Sequence, residues 1–228
     1  MPITPIDAAF NSFKHNECYV FVKDKYAVVN YAPGAKKHEI LRGPIKTVGG
    51  FKVLAGTPFE NGIDCAFENQ HREAFIFSGN HCAKITYAPD HPHKPKILSG
   101  PKTIANMFTC LRGKSFEHGI DAAIRIHGKK VLLFKGNVYA QMDYHTNKLY
   151  SNHYIRNGFK SLVGTVFESG IDAAFKSDKK EEAYIFKNEY YARVSIVYGH
   201  TTGGHLLGRI CRIKDDWSNL TGLLNCGS

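Results

Sequence analysis

At 228 residues and 43% hydrophobic composition, the chain is long enough to bury a sizeable core and has the make-up of an ordinary soluble globular protein. No stretch approaches the roughly 18 consecutive apolar residues of a membrane span, and Met1-Pro2-Ile3-Thr4-Pro5 lacks the basic and apolar regions of a secretory signal, which points to the cytosol. A formal charge of +10 raises nucleic acid as a partner, but the lysines are scattered over turns and loops and gather on no single helix or strand face. Nucleic acid is therefore disfavoured. A basic surface suits anionic small ligands or acidic glycans to a similar degree.

The chain reads as four turns of one pattern. Ile6-Asp7-Ala8-Ala9-Phe10 returns as Ile63-Asp64-Cys65-Ala66-Phe67, Ile120-Asp121-Ala122-Ala123-Ile124 and Ile171-Asp172-Ala173-Ala174-Phe175, with aspartates 57, 57 and 51 residues apart. A fixed period of this size marks a repeat architecture whose units share a core, because one unit cannot bury its own. The period divides a single domain, 1–228, into repeats of approximately 1–58, 59–115, 116–166 and 167–228. A ring of four small sheets is the economical arrangement.

Within each unit an aromatic strand core follows the aspartate: Tyr19-Val20-Phe21, Phe75-Ile76-Phe77, Leu132-Leu133-Phe134 and Tyr184-Ile185-Phe186. A polar turn comes next, as in Ser78-Gly79-Asn80 and Lys135-Gly136-Asn137, and a second strand begins at Tyr26, Cys82, Tyr139 and Tyr191. Two β-rich runs about Gly, Asn or Asp read as a hairpin, since these residues tolerate positive φ. Loops of unequal length follow, and they hold an outermost strand including Ile40-Leu41 and Ile97-Leu98. Each unit closes on aromatic-x-x-Leu-x-Gly: Phe51/Leu54/Gly56, Phe108/Leu111/Gly113, Phe159/Leu162/Gly164 and Trp217/Leu220/Gly222. That spacing suits a short helical turn with a left-handed C-cap. Four strands per unit result.

Six cysteines in a chain without a signal read as reduced thiols, with Cys65–Cys82 and Cys18–Cys226 as the two pairings to consider. His91 and His93 lie in a Pro-rich loop that could chelate a transition metal or simply be solvated, and His200 and His205 flank an irregular Gly/Thr loop. The sequence contains no G-x-S-x-G, H-E-x-x-H, P-loop, G-x-G-x-x-G or C-x-x-C motif, so an enzyme is not expected. The sequon Asn219-Leu220-Thr221 falls inside the last closing motif, where packing of Leu220 is the simpler role.

The repeated I-D-A-A-F, the Y-x-F…Y-A hairpin and the aromatic-x-x-L-x-G closure resemble hemopexin-type repeats over essentially the whole chain. Phe-Glu-x-Gly-Ile-Asp, the loops Asn30-Tyr31-Ala32-Pro33-Gly34 and Thr86-Tyr87-Ala88-Pro89, and the positions of Cys65 and Cys82 are similar to the albumin-2 family of legume seeds. The resemblance implies an all-β, four-bladed β-propeller and a non-enzymatic seed albumin that binds a polyamine such as spermine, or heme, and stores nitrogen. It also implies ions in the central channel: calcium, with sodium and chloride as further candidates. Some relatives behave as lectins. A glycan-binding alternative therefore uses the outer blade loops, and a homodimer would supply cross-linking.

If the pentapeptides are the inner strands, backbone carbonyls of Asp7, Asp64, Asp121 and Asp172 form one ring on the axis, and those of Ala9, Ala66, Ala123 and Ala174 a second. Calcium takes about six to eight oxygens, which such rings and water can supply. The aspartates could instead end the connections by bonding backbone N–H groups, and the two roles are compatible. The same aspartates, with Glu60, Glu117 and Glu168 just before them, are candidate polyamine acceptors, although local turn capping would also explain those glutamates. No heme axial ligand stands out among twelve histidines.

Overall fold

The computed structural model describes residues 5–32, 38–69, 71–87, 94–197 and 203–224. Four antiparallel sheets follow one another along the chain. The first comprises β1 (Ala8–Asn11), β2 (Glu17–Val22), β3 (Lys25–Asn30) and β4 (Glu39–Lys46), ordered β1-β2-β3-β4. The second is β5 (Cys65–Glu68), β6 (Glu73–Ser78), β7 (His81–Thr86) and β8 (Ile97–Thr103). The third is β9 (Ala122–Arg125), β10 (Lys130–Lys135), β11 (Val138–Asp143) and β12 (Lys148–Tyr154). The fourth is β13 (Ala173–Lys176), β14 (Glu182–Lys187), β15 (Tyr190–Val197) and β16 (Gly203–Leu206), with β17 (Cys211–Arg212) also paired to β15.

Inner strands β1, β5, β9 and β13 each lie beside the next, and β13 lies beside β1, so the sheets close into a four-bladed propeller. Both faces of every blade are covered, which is why the strands read as near-continuous apolar runs. Four clusters fill the gaps between blades. Ala8 packs in the gap between the first and second blades, while its neighbour Ala9 packs in the gap between the fourth and first. Four strands converge at the axis, so small side chains are required on both faces. Further out the gaps widen and are filled by stacked rings: Phe10 lies 4.7 Å from Tyr19, and Phe175 4.9 Å from Tyr184.

The closing motifs form the expected turns in two steps. A single α-turn, α1 (Thr47–Gly50), α2 (Ile104–Met107), α3 (Ile155–Gly158) or α4 (Ile213–Asp216), delivers the aromatic residue, and a 3-10 turn carries the leucine. Gly56, Gly113 and Gly164 hold φ of 72°, 70° and 76°. The fourth unit differs, because Gly222 lies within another helical turn, α5 (Thr221–Leu224). Its outer strand differs too: β16 and β17 divide the role that one strand plays elsewhere. His205 thus sits on β16 rather than in an irregular loop, with Nδ1 2.8 Å from Ser195 Oγ, whereas His200 lies outside the described residues.

The Cys65–Cys82 bond considered from sequence is not formed. Both residues pair with Phe77 from opposite sides, so a whole strand separates them by about 9–10 Å, beyond disulfide reach. Burial pushes the Cys82 thiol up to about 12. Cys18 is likewise a free, buried thiol, and Cys226 lies outside the described residues.

Candidate functional site: the axial channel

Each aspartate of the repeat stands just before an inner strand, where its amide donates to a carbonyl of the next strand: Phe21, Phe77, Phe134 and Phe186 accept from Asp7, Asp64, Asp121 and Asp172 at 2.8–3.0 Å. One carboxylate oxygen of each then accepts the N–H of the first hairpin-turn residue. The donors are Lys23 (2.5 Å), Gly79 (2.6 Å), Gly136 (2.7 Å) and Asn188 (2.8 Å). All four donors have φ of 52–53°, so the aspartate secures the left-handed residue of its own hairpin.

The four carboxylates also meet at one end of the axis. They line a cavity of about 280 Å³ together with Pro5 and Ile6. Two are neutralised locally, Asp121 by Lys135 Nζ at 2.8 Å and Asp172 by Lys187 Nζ at 2.6 Å. In the first two blades the residues matching those lysines are Val22 and Ser78. Asp7 and Asp64 thus lack the lysine that the third and fourth blades place directly before the turn, although the Lys23 ammonium also attracts Asp7. Burial raises the Asp7 carboxyl above the usual range, opposed by the Lys23 amide and reinforced by repulsion from Asp64 and Asp172.

Strand register determines what lies deeper. Ser12 and Glu17 form a hydrogen-bonded pair, as do Asn69 and Glu73, Ile126 and Lys130, and Ser177 and Glu182. Counting back in twos, Ala9, Ala66, Ala123 and Ala174 fall at non-hydrogen-bonded positions, with N–H and C=O turned away from the second strand and toward the axis. Below them the axis narrows until no water-sized space remains. Among the described residues, no cluster of three or more His, Cys, Asp or Glu side chains could hold a metal. Backbone carbonyls are thus the donor set that an axial cation would meet, and hard oxygen ligands fit calcium.

The far end is plugged. Asn11, Glu68, Arg125 and Lys176 each follow the pentapeptide and come together there, one from each blade. Arg125 Nε donates to Glu68 Oε1 at 2.6 Å, with the two side chains 10% and 4% exposed. Burial raises the Glu68 carboxyl, and the Arg125 guanidinium opposes that rise. Lys176 is pushed down by burial and then by Arg125. Sequence reasoning missed this quartet because its charge changes from blade to blade; its constant place after the pentapeptide was the available signal.

Glu60, Glu117 and Glu168 are placed elsewhere. Their carboxylates accept the amides of Gly56, Gly113 and Gly164 at 2.7–2.8 Å and so hold the closing turns. A second cavity, of about 380 Å³, lies on the outside between Gly49, Gly50, Val53, Pro95 and the lysines 52 and 94. No histidine lines either cavity among the described residues, and His91 and His93 lie outside them.

These features define a four-bladed propeller of the hemopexin fold with an axial cavity at its aspartate end. The chain belongs to the albumin-2 family of legume seeds. It is 47% identical to albumin-2 of Pisum sativum over 223 residues, covering 96% of each chain, and 47% identical to albumin-2 of Lathyrus sativus over 221 residues, covering 94% and 95%. Among solved structures, a Cicer arietinum albumin showing hemagglutination superposes with a TM-score of 0.92 at 48% identity, covering 97% of this chain and 99% of that one. A Cicer arietinum lectin with two metal binding sites gives 0.92 at 48%, with the same coverage, and the cow pea hemopexin-fold protein CP4 gives 0.91 at 47%, covering 96% and 97%. No family model matches the chain.

Proposed function

We propose that this seed albumin binds cations, without catalysis, at the axial mouth. Calcium would take the carbonyl ring of the four alanines, and the ammonium groups of a polyamine would take the aspartates above it. The supporting observation is the convergence of four carboxylates on one cavity, with Asp7 pushed up in part by its own kind. A cation there relieves both the repulsion and the burial of charge. Titration calorimetry with calcium, and separately with spermine, tests the reading. Asp7→Asn combined with Asp64→Asn keeps hydrogen-bond acceptors for the turns but removes the free charge, and spermine affinity should fall about tenfold or more. Affinity should also weaken as pH falls toward the raised Asp7 value. Spermine binding unchanged in the double variant would refute the mouth as its site.

A second reading is glycan binding, favoured by the hemagglutinating and lectin relatives from Cicer at 48% identity. Agglutination needs two sites per particle, so a homodimer belongs to that reading.

A further inference from the structure

We infer that the face opposite the aspartate mouth is a docking surface for a polyanionic glycan, one bearing carboxylate or sulfate groups; this rests on the glycan-binding reading above. All four inner strands begin at the mouth, so the turns that follow β1, β5, β9 and β13 all surround the plugged end. Those turns carry Lys14, Arg72, Lys129, Lys179 and Lys180, against the acidic Asp178 and Glu181. Beneath them the plug adds Arg125 and Lys176 against Glu68. The mouth face carries the four aspartates and Glu60, Glu117 and Glu168, interleaved with Lys23, Lys135 and Lys187. The turns at the plugged end thus carry five basic side chains against two acidic ones.

The four turns form a connected rim. The Arg72 guanidinium lies 4.2 Å over the Phe13 ring, joining the first and second blades. Lys129 Nζ sits 3.4 Å from His71 Nε2, joining the second and third. Lys176 Nζ reaches the Ile126 carbonyl at 3.4 Å, and the Asn16 amide bonds Asp178, which completes the circuit.

The chemistry of the rim selects a glycan over other polyanions. Phe13 is the one exposed large hydrophobic residue on it among the described residues, and Arg72 covers that ring. Among the described residues of these turns there is thus no uncovered phenyl, phenol or indole ring on which nucleic-acid bases would stack. The rim offers ammonium, guanidinium, imidazole and amide groups, which meet carboxylate, sulfate and hydroxyl oxygens.

The test measures heparin and polygalacturonate binding by calorimetry on the full chain at physiological salt, with a DNA duplex and anionic phospholipid vesicles as competing arms. Lys179→Glu with Lys180→Glu should weaken glycan binding about tenfold or more. Lys114→Glu with Lys160→Glu changes net charge equally on the closing turns that lead to the mouth, and should change binding by no more than about twofold. Preference for heparin would identify sulfate, and equal binding of polygalacturonate would identify carboxylate. Equal weakening by both double variants, or DNA or vesicles bound as tightly as the glycans, overturns the inference. Agglutination that persists while both glycans are silent overturns this surface alone; absence of agglutination and of all glycan binding removes the lectin reading as well.

Discussion

At the scale of the residue, one side chain does two jobs. The repeat aspartate reads from sequence as either a channel ligand or a backbone acceptor, and the structure shows its carboxylate holding the hairpin amide while facing the mouth. Removing it should expose the first job. Asp172→Ala leaves the Asn188 amide and Lys187 without their partner and should cost about 1–2 kcal/mol in urea unfolding. Asp172→Asn keeps an acceptor and should lose less than half of that. Equal losses for the two variants would mean that charge, not the hydrogen bond, is what the hairpin requires. Such a role is visible in a single sequence only because the residue recurs in register. Arg125 and Glu68 carry equally specific contacts at the far end, but they share no side-chain type with their counterparts Asn11 and Lys176, so no pattern announces them.

At the scale of the element, the blades solve one packing problem in three ways. The closing α-turns end at Gly50, Met107, Gly158 and Asp216, and the third strands carry Tyr26, Cys82, Tyr139 and Tyr191 at their second position. In the first blade Gly50 crosses Tyr26, and in the third Gly158 crosses Tyr139; a Cβ at these positions would stand 2.0 and 1.9 Å from the tyrosine oxygen. The second blade has Cys82 in place of the tyrosine and Met107 in place of the glycine, and Met107 packs against the cluster that contains Cys82. The fourth keeps Tyr191 and turns its hydroxyl to Asp216 at 2.6 Å. Volume is exchanged between two positions, which explains Cys82 without a disulfide. Copying the second blade into the third tests this. Gly158→Met and Tyr139→Cys should each destabilise the protein, by overpacking and by cavity formation. The double variant should be more stable than the sum of the single losses by about 1–3 kcal/mol. Strict additivity would show that the two positions do not exchange volume. Sequence periodicity located Tyr26, Cys82, Tyr139 and Tyr191 but not their partners, because it compares repeats by likeness, and compensating differences look like noise until the contact is seen.

At the scale of the whole molecule, the ring closes without exchange of a strand: among the described residues each blade is built from consecutive sequence, and β13 meets β1 only through side chains and loops. The seam is therefore held by side-chain packing, in a buried cluster that includes Tyr31, Phe175, Tyr184 and Trp217. At the rim His38 stacks on Trp217 with centroids 3.9 Å apart, and Asn219 Nδ2 donates to the His38 carbonyl at 2.6 Å, while Leu223 and Leu224 pack beneath. These partners lie at opposite ends of the chain, so no local pattern in the sequence links them. His38 is 4% exposed, and burial lowers its imidazole from the usual 6.5 to about 4, although the Tyr31 carbonyl and the Asp216 carboxylate favour the charged form. The folded ring thus binds this proton more weakly than the unfolded chain does. Stability from His38 is complete above about pH 6.5 and is lost as pH falls toward 4, by about 3 kcal/mol in all. Urea midpoints measured from pH 7.5 to 4 should show that loss in the native protein, and His38→Phe, which keeps the ring against Trp217, should remove most of it. Trp217 is the single tryptophan, so its fluorescence reports the seam directly and should change over the same acid range. If His38→Phe loses stability toward acid as steeply as the native chain, the acid-sensitive point lies among the carboxylates and not at the closure of the ring.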